Sequence, residues 1–170
     1  MSYLYISLGS NINREYHVKH GLIELTKVFG ALTLSSLYES KAVGFKGSDF
    51  YNMVISIETT DTIENVAITL RDIEFKYGRE QHAKKFSPRT LDLDILLFDQ
   101  LVLTTPVQIP RDEITKNAFV LWPLAEIATE LEHPIINQTY GELWSNFDKA
   151  SQTITQIPFS WSHIMDKTTI

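Results

Sequence analysis

The sequence has no cysteine and no long hydrophobic run. Without cysteine, the chain has no disulfide framework, no zinc–thiolate site and no thiol nucleophile. Its most apolar stretch, residues 118–125, contains a proline and is far shorter than the roughly 20 apolar residues that a membrane-spanning helix requires. The N-terminus also lacks the basic lead and the cleavage site of a signal peptide. We therefore expect a cytoplasmic protein that makes no contact with a membrane.

Basic residues are in deficit: 15 of them against 21 acidic residues give the 170-residue chain a net charge of −6. This deficit argues against non-specific binding of nucleic acid over the whole surface. Hydrophobic residues at 44% and charged residues at 21% are typical of a globular protein. The length predicts a single domain over residues 1–170, and we expect it to be a monomer.

The cations are nevertheless concentrated in one segment. Residues 76–89 contain five basic residues and one acidic residue, so this segment carries +4 and the rest of the chain carries −10. Such a segment is either a solvated loop or a local anion-binding site. The residues that follow it decide between the two interpretations.

Hydrophobic periodicity predicts two helices among four strands. Alternation predicts strands over residues 3–8, 31–38, 51–59 and 91–98. The first strand is predicted to stop before Gly9, and apolar stripes predict helices that end at Gly30 and Gly78. Asp61 and Glu64 have the spacing of a capping box at the start of the second helix. The order β-α-β-β-α-β is that of the split βαβ, or ferredoxin-like, α+β fold, with an antiparallel sheet and one helix layer.

A C-terminal extension follows these six elements, and its periodicity is weaker. It predicts a short strand over residues 101–103, a turn or short helix over 110–116, and helices over 123–131 and 140–147. The segment after residue 157 shows no pattern.

Two carboxylates stand side by side in the fourth predicted strand. In an extended strand, Asp92 and Asp94 point to one face with Cα atoms roughly 6.5–7 Å apart, and Leu93, Ile95 and Leu97 point to the other face. The carboxylates repel each other unless a cation lies between them. Mg²⁺ suits this arrangement, because it takes one or two protein carboxylates together with water and phosphate oxygens. The alternatives are two solvated carboxylates, or an ion pair with Arg89 alone.

The basic segment directly before this strand favours the metal interpretation. Lys84, Lys85 and Arg89 can bind the phosphate groups that a carboxylate-bound Mg²⁺ bridges. Anion donors and metal ligands so close in the chain indicate phosphoryl transfer. The sequence contains neither the phosphate-binding loop of nucleotide hydrolases nor the catalytic motifs of protein kinases, which excludes those two classes.

The segment from Phe86 to Ile95 closely resembles the signature of the 6-hydroxymethyl-7,8-dihydropterin pyrophosphokinase family of folate-pathway enzymes. Further matches follow the same order along most of the chain, at residues 9–11, 50–52, 73–74, 78–79 and, apart from the first position, 117–124. The resemblance implies a ferredoxin-like α+β fold and transfer of diphosphate from MgATP to the hydroxymethyl group of the reduced pterin, with release of AMP. It implies ATP and the pterin as partners, and no nucleic acid.

The resemblance also implies roles for individual residues. Asp92 and Asp94 correspond to the ligands of two Mg²⁺ ions, and Lys85 and Arg89 to catalytic contacts with the phosphates. The implied ATP-binding residues are Arg71, Glu74, Lys85, Arg89, Ile95, Arg111 and Lys116. Without the resemblance, the simpler interpretation of Glu74 is an exposed acid at the edge of the apolar stripe of its helix.

The implied pterin site has two stacking partners, Phe50 and Phe119, one on each face of the ring. Without the resemblance, both would be interpreted as core aromatics. Asn52 corresponds to an asparagine that reads the amide-like edge of the pterin, which requires a donor and an acceptor. Phe86 takes the place of a tryptophan that closes over the substrate. The remaining implied pterin-binding residues are Ser40 and Val43.

Departures from the family pattern lie mainly in the nucleotide-binding part. Arg111 replaces a histidine and Asn117 an arginine, while Pro106 and Gln108 replace an arginine and a threonine. Arg111 or Lys116 can compensate in charge, although their donor geometry differs. These departures motivate a second hypothesis, a diverged relative that binds a pterin with weak or altered nucleotide-dependent activity.

An RNA-binding module is a third hypothesis, because the RNA recognition module has the same order of strands and helices. Its third strand carries a basic residue, a glycine and several aromatic residues in a fixed pattern. Residues 51–59 do not show that pattern. The sequence therefore favours the first hypothesis, the active pyrophosphokinase.

Overall fold

A computed structural model describes residues 1–41, 49–78 and 90–160 of the chain. Its strands and helices are β1 (Ser2–Ser10), α1 (Arg14–Phe29), β2 (Thr33–Leu34), β3 (Leu37–Ser40), β4 (Phe50–Thr59), α2 (Ile63–Lys76), β5 (Asp92–Phe98), α3 (Ala118–Ile127), α4 (Tyr140–Ser145) and β6 (Ile154–Ile157). Short 3₁₀ turns lie at Asp112–Thr115 and Lys149–Ser151. Among these helices, none has the length and apolar character needed to cross a membrane.

The strands form one sheet in the order β5–β1–β4–β3–β6, with β2 also paired to β4. Every pairing is antiparallel. The predicted class, a mixed α/β chain with an antiparallel sheet, is therefore confirmed. The edge strand β6 was not predicted, because two of its four side chains are exposed and the other two are only partly buried, which leaves no apolar alternation to recognise.

The strand predicted over residues 31–38 is two short strands, because Ser35 interrupts the ladder. Its hydroxyl accepts a hydrogen bond from the N–H of Val54 (2.9 Å), while its own N–H donates to the Val54 carbonyl (2.9 Å). A side chain thus replaces a backbone acceptor at this point. The next residue, Ser36, turns towards Glu126 of α3 and donates to both of its carboxylate oxygens (2.6 Å each).

Helices cover both faces of the sheet, each over its own hydrophobic cluster. The α1/α2 face carries the larger cluster, which includes Leu4, Ile6, Leu8, Val18, Leu22, Met53, Val66, Leu70, Leu93 and Ile95. The α3/α4 face carries the smaller one, which includes Val54, Leu96, Leu97, Leu121, Leu124 and Tyr140. Each such side chain contributes roughly 1.5–3 kcal/mol when fully buried. The single helix layer that was predicted is thus one of two, since the C-terminal extension supplies the second.

A β-bulge in β5 changes the face that its last residues occupy. Ile6 pairs with Ile95, but the preceding Tyr5 pairs with Leu97, so Leu96 is the extra residue. Leu97 consequently belongs to the cluster on the α3/α4 face. The prediction that Leu97 shares a face with Ile95 is therefore wrong, because strict alternation ends at the bulge.

The start of α2 differs by one residue from the predicted capping box. The hydroxyl of Thr62 accepts a hydrogen bond from the N–H of Asn65 (3.2 Å), so Thr62 rather than Asp61 is the N-cap. The backbone N–H of Asp61 donates to the hydroxyl of Thr59 (3.0 Å). When two residues that can cap a helix are adjacent, the N-cap is the one directly before the first residue with helical dihedral angles. Spacing alone does not identify that residue.

The C-terminal extension is helical earlier than predicted. α3 begins at Ala118 and contains Pro123, whereas the pattern predicts a start at the proline itself. The missing N–H of proline weakens a helix interior, but the buried apolar side chains of α3 outweigh this loss. α4 begins at Tyr140 as predicted and ends at Ser145, and the 3₁₀ turn at Asp112–Thr115 agrees with the predicted turn. Residues 101–103 form only an isolated bridge, which pairs Leu103 with Ile109.

We expect Thr62→Ala to lower the free energy of unfolding by about 1 kcal/mol, because the N–H of Asn65 loses its acceptor at the start of α2. Asp61→Ala is the matched control, for which we expect a change below about 0.5 kcal/mol. Urea denaturation of both variants and of the unsubstituted protein measures the two values. A larger loss for Asp61→Ala than for Thr62→Ala would restore Asp61 as the cap.

Candidate active site

Asp92 and Asp94 lie at the start of β5, where this edge strand pairs with β1. Asp92 pairs with Gly9 and Asp94 with Ser7, so both carboxylates project from the α3/α4 face, as the alternation predicts. Leu93, between them, is buried in the cluster on the opposite face. The side chain of Asp94 is 28% exposed, so a ligand from solvent can reach it.

Glu74 of α2 binds the backbone of β5 between the two carboxylates. It projects from α2, is only 2% exposed, and its Oε2 accepts a hydrogen bond from the N–H of Leu93 (3.1 Å). Because β5 is an edge strand, an outward N–H such as this one needs an acceptor other than a sheet neighbour. The simpler interpretation of Glu74 as an exposed acid is therefore wrong: its carboxylate holds the strand at the residue between Asp92 and Asp94.

Arg111 approaches the same carboxylates from the segment that follows β5. Its backbone N–H donates to the carbonyl of Leu96 (3.0 Å), the bulged residue of β5. Its Nη2 lies 3.5 Å from Oδ2 of Asp94 and 3.1 Å from Oε1 of Glu113. The backbone contact with the bulge therefore holds a cation beside Asp94.

The Arg111 guanidinium is partly buried, and its surroundings keep it charged. Burial lowers the pKa of this group, but the carboxylates of Asp94 and Glu113 raise it by more, so the net shift is upward. Its Nε is buried and has no hydrogen-bond partner among the described residues. A buried N–H donor without an acceptor is costly, so this atom is suited to an oxygen that a ligand supplies.

Three residues of the expected pterin site, Ser40, Phe50 and Asn52, lie close together on β3 and β4. Ser40 pairs with Phe50 across β3 and β4, and Asn52 pairs with Gly9 across β4 and β1. The Ser40 hydroxyl donates to Oδ1 of Asn52 (3.3 Å), and both side chains are buried. The side chains of Ser40, Phe50 and Asn52 therefore share the α3/α4 face with the two carboxylates.

Gly9 separates the amide from the carboxylates. It pairs with Asn52 on one side and with Asp92 on the other, so the Cα atoms of those two residues are about 10 Å apart across three strands. A Cβ at Gly9 would come within 2.8 Å of Nδ2 of Asn52. The prediction that the first strand stops before Gly9 is wrong, because β1 continues to Ser10. A glycine inside a strand often marks such a close approach.

Phe119 lies in the first turn of α3 and is partly buried against the smaller cluster. The start of this helix is held by Gln152, which was not among the predicted site residues. Oε1 of Gln152 accepts from the N–H of Ala118 (2.8 Å), and its Nε2 donates to the carbonyl of Lys116 (2.7 Å). No sequence signal identifies Gln152, because its contacts join segments far apart in the chain.

The side chains of the other residues of the expected nucleotide-binding part lie in the core or towards the surface. The side chain of Ile95 is buried in the α1/α2 cluster, and the ammonium of Lys116 pairs with Asp112 at the surface. Arg71 is half exposed, with its Nε 3.9 Å from Oε1 of Glu74. Pro106 and Gln108 are exposed, and Asn117 makes no capping hydrogen bond with its side chain. The predicted site residues Val43, Lys85, Phe86 and Arg89 fall outside the described residues, as does most of the basic segment.

The donor set fits magnesium. Within residues 1–41, 49–78 and 90–160, no group of three or more His, Asp or Glu side chains is arranged to hold a metal ion. The carboxylates of Asp92 and Asp94 are thus a sparse site of two oxygen donors. Mg²⁺ binds in this manner, with one or two protein carboxylates and with phosphate and water completing its coordination.

Residues 5–129 match the 7,8-dihydro-6-hydroxymethylpterin-pyrophosphokinase (HPPK) family. A 2-amino-4-hydroxy-6-hydroxymethyldihydropteridine pyrophosphokinase from Aquifex aeolicus is 30% identical over 145 residues, which cover 84% of this chain and 90% of that protein. A protein of the same name from Bacillus subtilis is 36% identical over 140 residues, which cover 75% of this chain and 79% of that protein.

Solved structures show the same fold. A Plasmodium falciparum HPPK-DHPS chain with STZ-DHP superposes with a TM-score of 0.71 at 13% identity, over 99% of this chain and 47% of that chain. An HPPK-DHPS in complex with substrates also gives a TM-score of 0.71, at 11% identity, over 88% of this chain and 44% of that chain. This chain thus spans less than half the length of these two solved chains.

We expect Gln152→Ala to speed amide hydrogen exchange at Ala118 and to lower the free energy of unfolding by about 1 kcal/mol, because the start of α3 loses two hydrogen bonds. Gln156→Ala is the matched control in the same segment; its Nε2 donates to the hydroxyl of Ser36 (2.7 Å), which contacts Glu126 near the C-terminal end of α3 rather than its start. Exchange followed by NMR compares the two variants. Equal exchange rates at Ala118 in both would show that Gln152 does not hold the helix start.

Proposed function

The chain belongs to the 7,8-dihydro-6-hydroxymethylpterin-pyrophosphokinase family, and we propose that Asp92, Asp94 and Asn52 form the centre of its active site. The enzyme is an ATP-dependent diphosphotransferase of folate biosynthesis: it transfers diphosphate from ATP to the hydroxymethyl group of 6-hydroxymethyl-7,8-dihydropterin and releases AMP. The row Asn52–Gly9–Asp92 carries the assignment of the site. It places the amide of Asn52 and the carboxylate of Asp92 on residues whose Cα atoms are about 10 Å apart, with a residue that lacks a side chain between them.

Asp92 and Asp94 are the residues that hold magnesium in this proposal, and we infer two ions. When bound, Mg²⁺ supplies positive charge to the transferred phosphates and to the attacking hydroxyl oxygen. The carboxylates keep this charge at the β5 end of the row. Glu74 accepts the N–H of Leu93 on one edge of β5, and β1 pairs with the other edge. Because both edges of the strand are held, the separation of the two carboxylates is fixed.

Asn52 binds the polar edge of the pterin. The Ser40 hydroxyl donates to Oδ1 of Asn52, which orients the amide and leaves Nδ2 on the side of Gly9. An amide held in one orientation distinguishes a donor from an acceptor on the ring, and this confers specificity. Phe50 and Phe119 stack on the two faces of the ring, with Phe86 and Val43 of the family pattern completing the site.

The phosphate contacts come from cations around the carboxylates. Arg111 has a buried Nε with no described partner and lies 3.5 Å from Asp94, so it can bind a phosphate oxygen while it remains near the metal ligands. The family pattern adds Lys85 and Arg89, which we assign to charge stabilisation on the transferred group. We assign Lys116 a weaker, long-range contribution, because its ammonium is paired with Asp112.

The adenosine part of ATP binds at the outer edge of β5 in this proposal. The N–H of Leu93 faces that edge, since it donates to Glu74 rather than to β1. Ile95 lies two residues further along the strand, so its backbone groups face the same edge although its side chain is in the core. Backbone N–H and C=O groups can pair with a purine edge, and Arg71 and Glu74 lie beside them.

We further infer that residues 1–170 form one cytoplasmic domain that acts as a monomer. A single sheet with a cluster on each face supports the one-domain assignment. We also assign the core to the ferredoxin-like arrangement: when β2 and β3 are counted as one strand, the pairing of β5 with β1, β1 with β4, and β4 with β3 agrees with that order.

We expect the protein to form AMP from MgATP and the reduced pterin, and Asp94→Ala to reduce the rate at least about 100-fold, because a metal ligand is lost. Asp61→Ala serves as the control and should retain the rate, because it removes an exposed carboxylate that follows the end of β4, where β4 pairs with the opposite end of β1 from Asp92. Chromatographic quantification of AMP measures both. Absence of AMP at high enzyme concentration would contradict the proposed function, and full activity of Asp94→Ala would contradict the site.

We expect Phe119→Ala to raise the KM for the pterin roughly 10-fold, since stacking on one ring face contributes about 1–3 kcal/mol, and to leave the KM for ATP nearly unchanged. Phe147→Ala removes an aromatic that stacks on Trp144 in the same helix layer, so it tests for a general loss of packing. Steady-state kinetics with each substrate varied in turn separates the two effects. A rise in both KM values, or an equal effect of Phe147→Ala, would remove Phe119 from the pterin site.

A further inference from the structure

We propose that Arg111 is an internal competitor for the metal: without nucleotide its guanidinium neutralises Asp94, and nucleotide phosphate draws it away, so metal binds well only together with nucleotide. This inference rests on the proposed function, because it concerns the same carboxylates. It goes further by assigning to one side chain the coupling between the two ligands.

Arg111 cannot move far from the carboxylates, because its backbone is tied to β5. Its N–H donates to the carbonyl of Leu96 (3.0 Å), the bulged residue two positions after Asp94. The pairing of β5 with β1 holds that bulge in place. The guanidinium is therefore always within reach of Asp94, whether or not a ligand is bound.

The contact with Asp94 is a loose one. Only Nη2 approaches Oδ2, at 3.5 Å, whereas a bidentate arginine–carboxylate pair makes two short parallel hydrogen bonds. The same Nη2 is closer to Glu113, at 3.1 Å from Oε1. The guanidinium of Arg111 thus offsets the negative charge of Asp94 without binding Asp94 tightly. Arg111 can leave Asp94 while it keeps its contact with Glu113.

The guanidinium also carries a donor that the described residues leave unused. Its Nε is buried and lacks an acceptor among them. A phosphate oxygen that reaches the site can satisfy this atom and compete with Asp94 for the positive charge, because arginine binds phosphate with several donors at once. Nucleotide then removes a cation from Asp94 at the moment when it delivers magnesium.

Two consequences follow for binding in solution. Metal alone must compete with Arg111 for Asp94, so its affinity is lower than the carboxylate pair by itself would give. Nucleotide relieves that competition, and by thermodynamic linkage metal must raise nucleotide affinity by the same factor. Replacement of Arg111 by a neutral side chain therefore strengthens the binding of metal alone and weakens the coupling.

Binding of Mn²⁺, followed by the electron paramagnetic resonance signal of the free ion, tests this without turnover. We expect Arg111→Gln to bind Mn²⁺ alone about 10-fold more tightly than the unsubstituted protein, which corresponds to about 1.4 kcal/mol. A non-hydrolysable ATP analogue should then improve Mn²⁺ affinity less in the variant than in the unsubstituted protein. Arg111→Lys keeps the charge and should stay within about threefold of the unsubstituted protein for Mn²⁺ alone.

Two further variants control for general effects of charge. Lys27→Gln removes an exposed cation from α1, on the opposite face of the sheet, and should leave Mn²⁺ affinity unchanged. Glu113→Gln releases Arg111 towards Asp94 and should weaken Mn²⁺ binding, and this effect should shrink in the Arg111→Gln background if it acts through the arginine. Melting temperatures verify that each variant is folded.

The outcomes separate this inference from the proposed function. Mn²⁺ affinity of Arg111→Gln equal to or weaker than that of the unsubstituted protein would overturn the competition, as would a tightening of equal size in Lys27→Gln. Undetectable Mn²⁺ binding in both proteins would also count against it. If the unsubstituted protein forms AMP in any of these cases, the proposed function still stands; if it forms none, the proposed function fails independently.

Discussion

The antiparallel pairing of β5 with β1 is the interaction on which the rest of the site depends. It sets Asp92 opposite Gly9 and Asp94 opposite Ser7, so both carboxylates project from the α3/α4 face, where the side chain of Asp94 is partly exposed. The bulge at Leu96 belongs to the same pairing, and its carbonyl anchors the backbone of Arg111. One strand pair thus orients two anions and positions the cation that faces them.

Negative charge concentrated at this edge is the cost of such a site, and the fold offsets it with specific partners. Glu74 is buried but accepts the N–H of Leu93, and Arg111 lies between Asp94 and Glu113. The positive charge that remains to be supplied must come from the ligand or from the basic segment before β5. This accounts for a chain of net charge −6 that nevertheless binds a polyanionic substrate.

Much of the fold was predictable because its periodicities are local. Alternation predicted β1, β4 and β5, and apolar stripes predicted α1 and α2, since each pattern reflects a face that must be buried. Three details were not predictable. Ser35 splits a strand by bonding Val54, Leu96 bulges, and Gln152 holds the start of α3 from a distant segment. All three arise from contacts between residues that are far apart in the sequence.

By itself, the sequence determined the carboxylate pair, the common face of Asp92 and Asp94, and the family pattern, because those depend on residue type and short spacing. Only the tertiary structure decided that Glu74 is buried, that Gly9 lies between Asn52 and Asp92, and that Arg111 reaches Asp94. The physical reason is that strand register and bulges set distances across a sheet. A linear pattern encodes what a side chain is, whereas its neighbours on the next strand depend on a pairing that no single segment specifies.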